Sequence, residues 1–186
     1  MLAAKRGDVI AVWTGTNLSE AAIRLGDLIE GKPAVANHVV GITHQDKLGR
    51  WIGIAGQPGG VSLQDCTPFL ADPRTRSNHF MDRTDEDNDW LCANAAKALN
   101  LPYDWIGGIG QDVAEALHMD ALKEELNRLY AWPTSDNLLP GHVVCSSLWA
   151  RLYQMRNLPH PDAGQERSCT PGDWWLFNNA FPAVGE

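Results

Sequence analysis

The sequence predicts an α+β chain, a small and mainly antiparallel sheet with helices packed against one side. Three observations predict it. Short β-branched runs crowd the first 65 residues, and two of them flank a tight turn. Helical spacing then dominates from residue 87 to residue 153. A late apolar run, Gly172 to Phe177, reads as a final strand. At 186 residues the chain has room for one compact domain, and no repeat or composition break marks a boundary inside it.

Residues 7–13 open with a Gly-Asp turn pair and continue as an apolar strand. Residues 19–29 place Ala22, Ile23, Leu25 and Ile29 on one broad helical face, with Asn17 or Ser19 as cap and Gly31 and Pro33 as the stop. Residues 37–43 and 50–55 form an antiparallel hairpin around the turn Asp46 to Gly49. Gln57 to Gly60 breaks its second strand, and Val61 to Leu63 begins a third. Pro68 to Asp82 is polar and reads as a surface connection, and the segment from Arg74 to Arg83 as a solvated loop. Asp87 to Leu101 is an alanine-rich helix, followed by a glycine-rich aromatic loop from Pro102 to Gly110. Gln111 to Trp132 is the clearest helix, with Val113, Leu117, Leu122, Leu126 and Leu129 on one face. From Val143 to Tyr153 a buried entry leads into a helix with Leu148, Trp149, Leu152 and Tyr153 inward. Asn157 to Pro171 is a loop.

Composition excludes several classes. With 44% hydrophobic and 20% charged residues the chain is not a disordered one. Fifteen basic residues against 23 acidic ones leave a formal charge of −8, and no Lys/Arg cluster offsets it, so nucleic acid is not the expected partner. No stretch approaches the roughly 20 apolar residues of a membrane span. The first residues lack the apolar region of a cleavable signal, so the expectation is cytoplasmic synthesis, with any export by another route. Eight tryptophans point to large rigid apolar surfaces, in a core or along a groove. Cys66, Cys92, Cys145 and Cys169 are scattered without a C-x-x-C pair, which argues against a zinc ribbon or a disulfide framework; the default for each is a buried free thiol.

Cys145 carries a second reading. It stands where an extended run meets the start of a helix, so the helix dipole and unpaired N–H groups favour its thiolate and would hold an oxyanion. Such a nucleophile needs a base, and six histidines are available. His38 lies inside a strand, where a ring facing the core needs a reason. His44 shares that face but lies roughly 20 Å further along an extended chain. His142 is close in sequence, yet an extended approach points it away from Cys145. His79, His118 and His160 read as surface residues. Their spacing supports no metal site, and no cofactor is expected.

Read together, five segments resemble one family: Gly7 to Ile10, Asn37 to Ile42, Tyr103-Asp104-Trp105, Val144 to Leu148, and Thr170 to Asp173. In this order and spacing they are similar to the circularly permuted NlpC-type cysteine hydrolases. That family has a papain-like α+β fold and includes bacterial cell-wall peptide hydrolases and lecithin:retinol acyltransferase-like enzymes. The resemblance runs from about Gly7 to Phe177, and the permutation accounts for a histidine strand that precedes the cysteine helix.

The resemblance implies Cys145 as nucleophile and His38 as general base. The Cys145 N–H would help form the oxyanion hole, with Tyr103, Asp104 and Ser146 near oxyanion or substrate; Tyr103 reads equally as a packing aromatic. The family usually adds a third polar residue, often Glu, on the strand after the histidine. Here that strand, Trp51 to Gly56, holds none. The nearest candidate is Gln57: a turn symmetric about Lys47 and Leu48 pairs residues whose numbers sum to about 95, which sets Gln57 opposite His38. Otherwise a backbone carbonyl or water fills the role, or the site is weak or inactive.

The implied reaction is thiol-dependent cleavage of an amide, most naturally in peptidoglycan-like peptides, through an acyl-enzyme. Two alternatives stand beside it: a catalytically inactive binding module of the same fold, and a lipid-directed thioesterase or acyltransferase. No wall-binding repeat is present, so targeting would come from a host assembly such as a phage or secretion apparatus.

Overall fold

The computed structural model describes residues 2–15, 28, 31, 34–57, 59–102, 145–161 and 169–181. Apart from Leu28 and Pro102, the expected helices at 19–29 and 111–132 and the loop at 102–110 lie outside the described residues, as do Tyr103, Asp104, His118 and His142.

The early apolar runs form an antiparallel sheet. Its strands are β1 (Val9–Val12), β2 (His38–Gln45), β3 (Trp51–Gln57), β4 (Gly60–Asp65) and β5 (Arg76–Ser77), in the order β4-β3-β2-β1-β5. Alternation along these strands sorts the core into two layers. Val9, Ala11, Val39 and Ile54 face one side, while Ile10, Val12, Val40, Ile42 and Ala55 face the other.

The hairpin keeps the expected register in its inner part, with Gly41 opposite Ile54 and Ile42 opposite Gly53. A bulge between Ile42 and His44 then shifts the pairing to His44 opposite Ile52. One extra residue turns every later side chain to the other face. His44 therefore does not share a face with His38, contrary to the sequence expectation. β3 also runs through Gln57 instead of stopping before it.

Four helices are described: α1 (Thr67–Ala71), α2 (Asp85–Ala96), α3 (Cys145–Met155) and α4 (Pro171–Asn179). Two corrections follow. The polar connection 68–82 contains most of α1 and all of β5, and Leu70 packs with Cys66 beneath Val40 and Ile42. The late segment expected as a strand is helix α4. Thr170 accepts from Asp173 N, the Asp173 carboxylate accepts from Thr170 N, and Pro171 occupies the first turn. That capping box satisfies N–H groups that only a helix start exposes. Thr84 and Asp87 cap α2 in the same way.

Helix α3 lies on the Val39 and Ile54 side of the sheet. Trp149 Nε1 donates to Ile54 O at 3.0 Å, and a Cβ on Gly41 would fall 2.0 Å from the Trp149 ring, so only glycine admits the indole there. One turn later, Tyr153 Oη donates to Gly7 O at 2.6 Å, beside the start of β1. The helix thus travels toward the Gly7 end of the sheet. Its first residue, Cys145, points back toward the other end, where β2 starts and β3 finishes. Helix α4 braces this arrangement: Trp174 Nε1 donates to Ser146 O, and Asn178 Nδ2 donates to Val9 O and Arg76 O, each at 3.0 Å.

Candidate functional site

Of the residues expected to carry chemistry, His38 and Gln57 lie at the sheet end where β2 begins and β3 finishes. His38 is the first residue of β2, opposite Val12, and is only 8% exposed. A buried imidazole needs partners for its ring nitrogens, and His38 Nε2 lies 3.2 Å from Gln64 Oε1. Gln64 Nε2 in turn donates to Gln57 Oε1, and Gln57 Nε2 donates to Ser62 Oγ at 2.7 Å. His38, Gln64, Gln57 and Ser62 therefore form one continuous chain of polar groups.

The sheet explains why these four meet. Gln57, Ser62 and Gln64 share one face of β3 and β4 by alternation, where Gly53 pairs with Gln64, Ala55 with Ser62 and Gln57 with Gly60. All three side chains share the face of Ala55 and Cys66. The β2–β3 pairs run from Gly41 opposite Ile54 to Gln45 opposite Trp51 and do not include His38 with Gln57. The group within reach of the ring is Gln64. Gln64 stands on β4, one strand beyond the strand that follows the histidine, where the family pattern does not place a third residue. The signal was present in Val61-Ser-Leu-Gln64, whose Ser and Gln are two apart and so share a face.

Cys145 opens the described part of α3 and is 1% exposed. It belongs to the apolar layer of Val39, Ile54 and Trp149, whereas the pleat sets His38 in line with Val40 and Ile42 on the other side. The thiol and the ring thus lie at one end of the sheet but are assigned to opposite faces. Ser146 is also buried, and its Oγ has no hydrogen-bond partner.

All four cysteines are buried and outside any disulfide. Burial, reinforced by the Asp65 charge, pushes the Cys66 thiol up to about 12. Burial also raises Cys92, which lies 3.6 Å from Ile42 O and 3.7 Å from Thr43 O. Both are poor thiolate sources. Among the described residues no group of three or more His, Cys, Asp or Glu side chains is placed to hold a metal ion.

A second polar cluster sits at the far end of β1. The buried Asp8 carboxylate accepts from Arg83 Nη2, and from Lys5 N at 2.7 Å. His79 Nδ1 lies 2.8 Å from it. Arg83 Nη1 donates to Tyr153 Oη at 2.5 Å and Arg83 Nε to Asn88 Oδ1 at 3.1 Å. Asn78 Nδ2 donates to the same Tyr153 oxygen at 2.9 Å, and Asn78 Oδ1 accepts from Val9 N at 2.8 Å. Three expectations change here. Arg83 is a buried ion-pair residue and not part of a solvated loop, and His79 is tied to Asp8 instead of standing free on the surface. His160 is also no simple surface residue: its Nδ1 lies 2.9 Å from Leu158 O and its Nε2 is buried.

No protein-family model matches the sequence, and no curated protein or solved structure matches it. Among the described residues no helix is long and apolar enough to cross a membrane.

Proposed function

We propose that the chain is a thiol-dependent hydrolase that cleaves amide bonds in peptidoglycan-like peptides, on a papain-like fold of the permuted NlpC type. The observation that supports this reading most is the relay from His38 through Gln64 to Gln57 at the sheet end toward which α3 directs Cys145. In the reaction, His38 takes the Cys145 proton and the thiolate sulfur attacks the amide carbonyl carbon. The N–H groups at the start of α3 hold the resulting oxyanion. The C–N bond then breaks, and His38 gives its proton to the leaving amine. Water, deprotonated by His38, attacks the thioester carbonyl; the C–S bond breaks to release the carboxylic acid, and His38 returns its proton to the Cys145 thiolate.

Purified cell walls supply the test. Wild-type protein should clear their turbidity, and Cys145→Ala and His38→Ala should each slow clearance by at least about 100-fold. Clearance that survives Cys145→Ala would overturn the reading. Release of fatty acid from short esters without wall clearance would favour a lipid-directed enzyme instead.

A second reading, a non-catalytic binding module of the same fold, is favoured by one observation: the pleat assigns His38 and Cys145 to opposite faces of the sheet. In that reading the relay satisfies a buried imidazole and has no role in chemistry.

A further inference from the structure

We infer that Trp13, Arg74, Trp175 and Arg76, in a row along the β5 edge and helix α4, form a binding surface for a glycan strand that carries carboxylates. The inference deepens the proposed reading, on which the choice of a wall glycan rests.

The four residues are joined one to the next. Arg74 holds its guanidinium 5.5 Å over the Trp13 ring. Trp175 Nε1 donates to Arg74 O at 3.2 Å, and Arg76 holds its guanidinium 5.2 Å over the Trp175 ring. None of the four is fully buried. Trp13 directly follows β1, whose last residue Val12 pairs with His38. The row therefore starts at the sheet end of the proposed site and runs along the edge strand.

Charge sets Arg76 apart. Arg6, Arg50, Arg74, Arg83 and Arg156 each meet a carboxylate. Arg76 meets none among the described residues, and its partners are neutral. Its Nε donates to Asn179 Oδ1 at 2.8 Å, and its Nη1 to Pro73 O at 2.8 Å and Thr75 O at 3.0 Å. A guanidinium carries five N–H groups in one plane, so the two on Nη2 are left to a ligand. The neutral acceptors and the indole beneath fix that plane, so an incoming carboxylate need not order it.

The formal charge of −8 repels a polyanion at long range. Recognition then falls to contact: a carboxylate on Nη2, and the C–H faces of sugar rings on the half-buried indoles. Inorganic phosphate brings charge without such faces, and a neutral glycan brings faces without charge. A carboxylated glycan brings both.

Binding isotherms on full-length Cys145→Ala protein test the inference with two ligands. One is wall glycan stripped of its peptides, whose muramic residues expose lactyl carboxylates. The other is chitin oligomers, which have a similar sugar backbone and no carboxylate. The stripped glycan should bind at least about 10-fold more tightly than chitin. Arg76→Gln should erase that preference, and Arg6→Gln, at an exposed arginine elsewhere, should keep it. Trp13→Ala should weaken both ligands alike. Equal binding of the two glycans, binding of neither, a preference that survives Arg76→Gln, or Trp13→Ala isotherms identical to wild type would each overturn the inference. Binding is read without cleavage, so its failure leaves wall clearance by the wild type to be judged on its own.

Discussion

The two ends of the central sheet handle buried polarity in different ways. At the start of β1 an ion pair, Asp8 with Arg83, is closed in by Tyr153, Asn78, Asn88 and His79, and both charged side chains are fully buried. At the start of β2, about four residues or roughly 13 Å along the ladder, an imidazole is served by two amides and a hydroxyl, all half-buried. The first arrangement joins β1 to the residues before α2 and to α3, and its groups are locked by mutual satisfaction. The second serves a buried ring with neutral groups, at the sheet end where β2 begins. A buried ion pair loses far more when one member is removed than a network of neutral groups does.

The sharpest way to break this contrast is at the closed end. Arg83→Met leaves the Asp8 carboxylate buried without its cation, which should cost about 3–5 kcal/mol of stability. Denaturant unfolding reads it; a loss below about 1 kcal/mol would mean that the network is not what holds the two halves together. Alkali probes the layer beneath the relay. The Cys66 thiol is held protonated up to about 12 in the folded state against an ordinary value of 9.0. Between those values the folded state binds the extra proton. Its contribution is therefore intact below pH 9 and is lost as pH rises through the window, by about 1.4 kcal/mol at pH 10. Cys66→Ala should flatten that slope, and an unchanged slope would assign it to other groups. The smallest stability effect belongs to the His38 end. Gln64→Leu should cost about 1 kcal/mol, the lower end for taking a partner from a buried group, because Gln64 itself is half-buried. A larger loss would make the relay as structural as the Asp8 cluster.

Local patterns made much of this legible. The hairpin followed from two β-branched runs around Asp46 to Gly49, and its inner register from the turn position. The bulge after Ile42 was not legible, because nothing in Gly41-Ile-Thr-His44 announces an extra residue. Helix α4 was misread because Trp174 to Phe177 is apolar enough for a strand. The Thr170 and Asp173 capping spacing was the better signal. Asp8 and Arg83 lie 75 positions apart, and their pairing depends on the whole sheet being assembled. Gln64 was hidden for a related reason. Its nearness to His38 passes across β3, through a strand partner of a strand partner.

The most direct measurement is the rate at which iodoacetamide alkylates Cys145 between pH 5 and 8, in the wild type and in His38→Ala. If the ring and the thiol act as a unit across the sheet rim, Cys145 should react faster than Cys66, Cys92 and Cys169, and this advantage should vanish with His38. Equally slow labelling of all four thiols, unchanged by His38→Ala, would contradict that and leave a fold without the proposed chemistry.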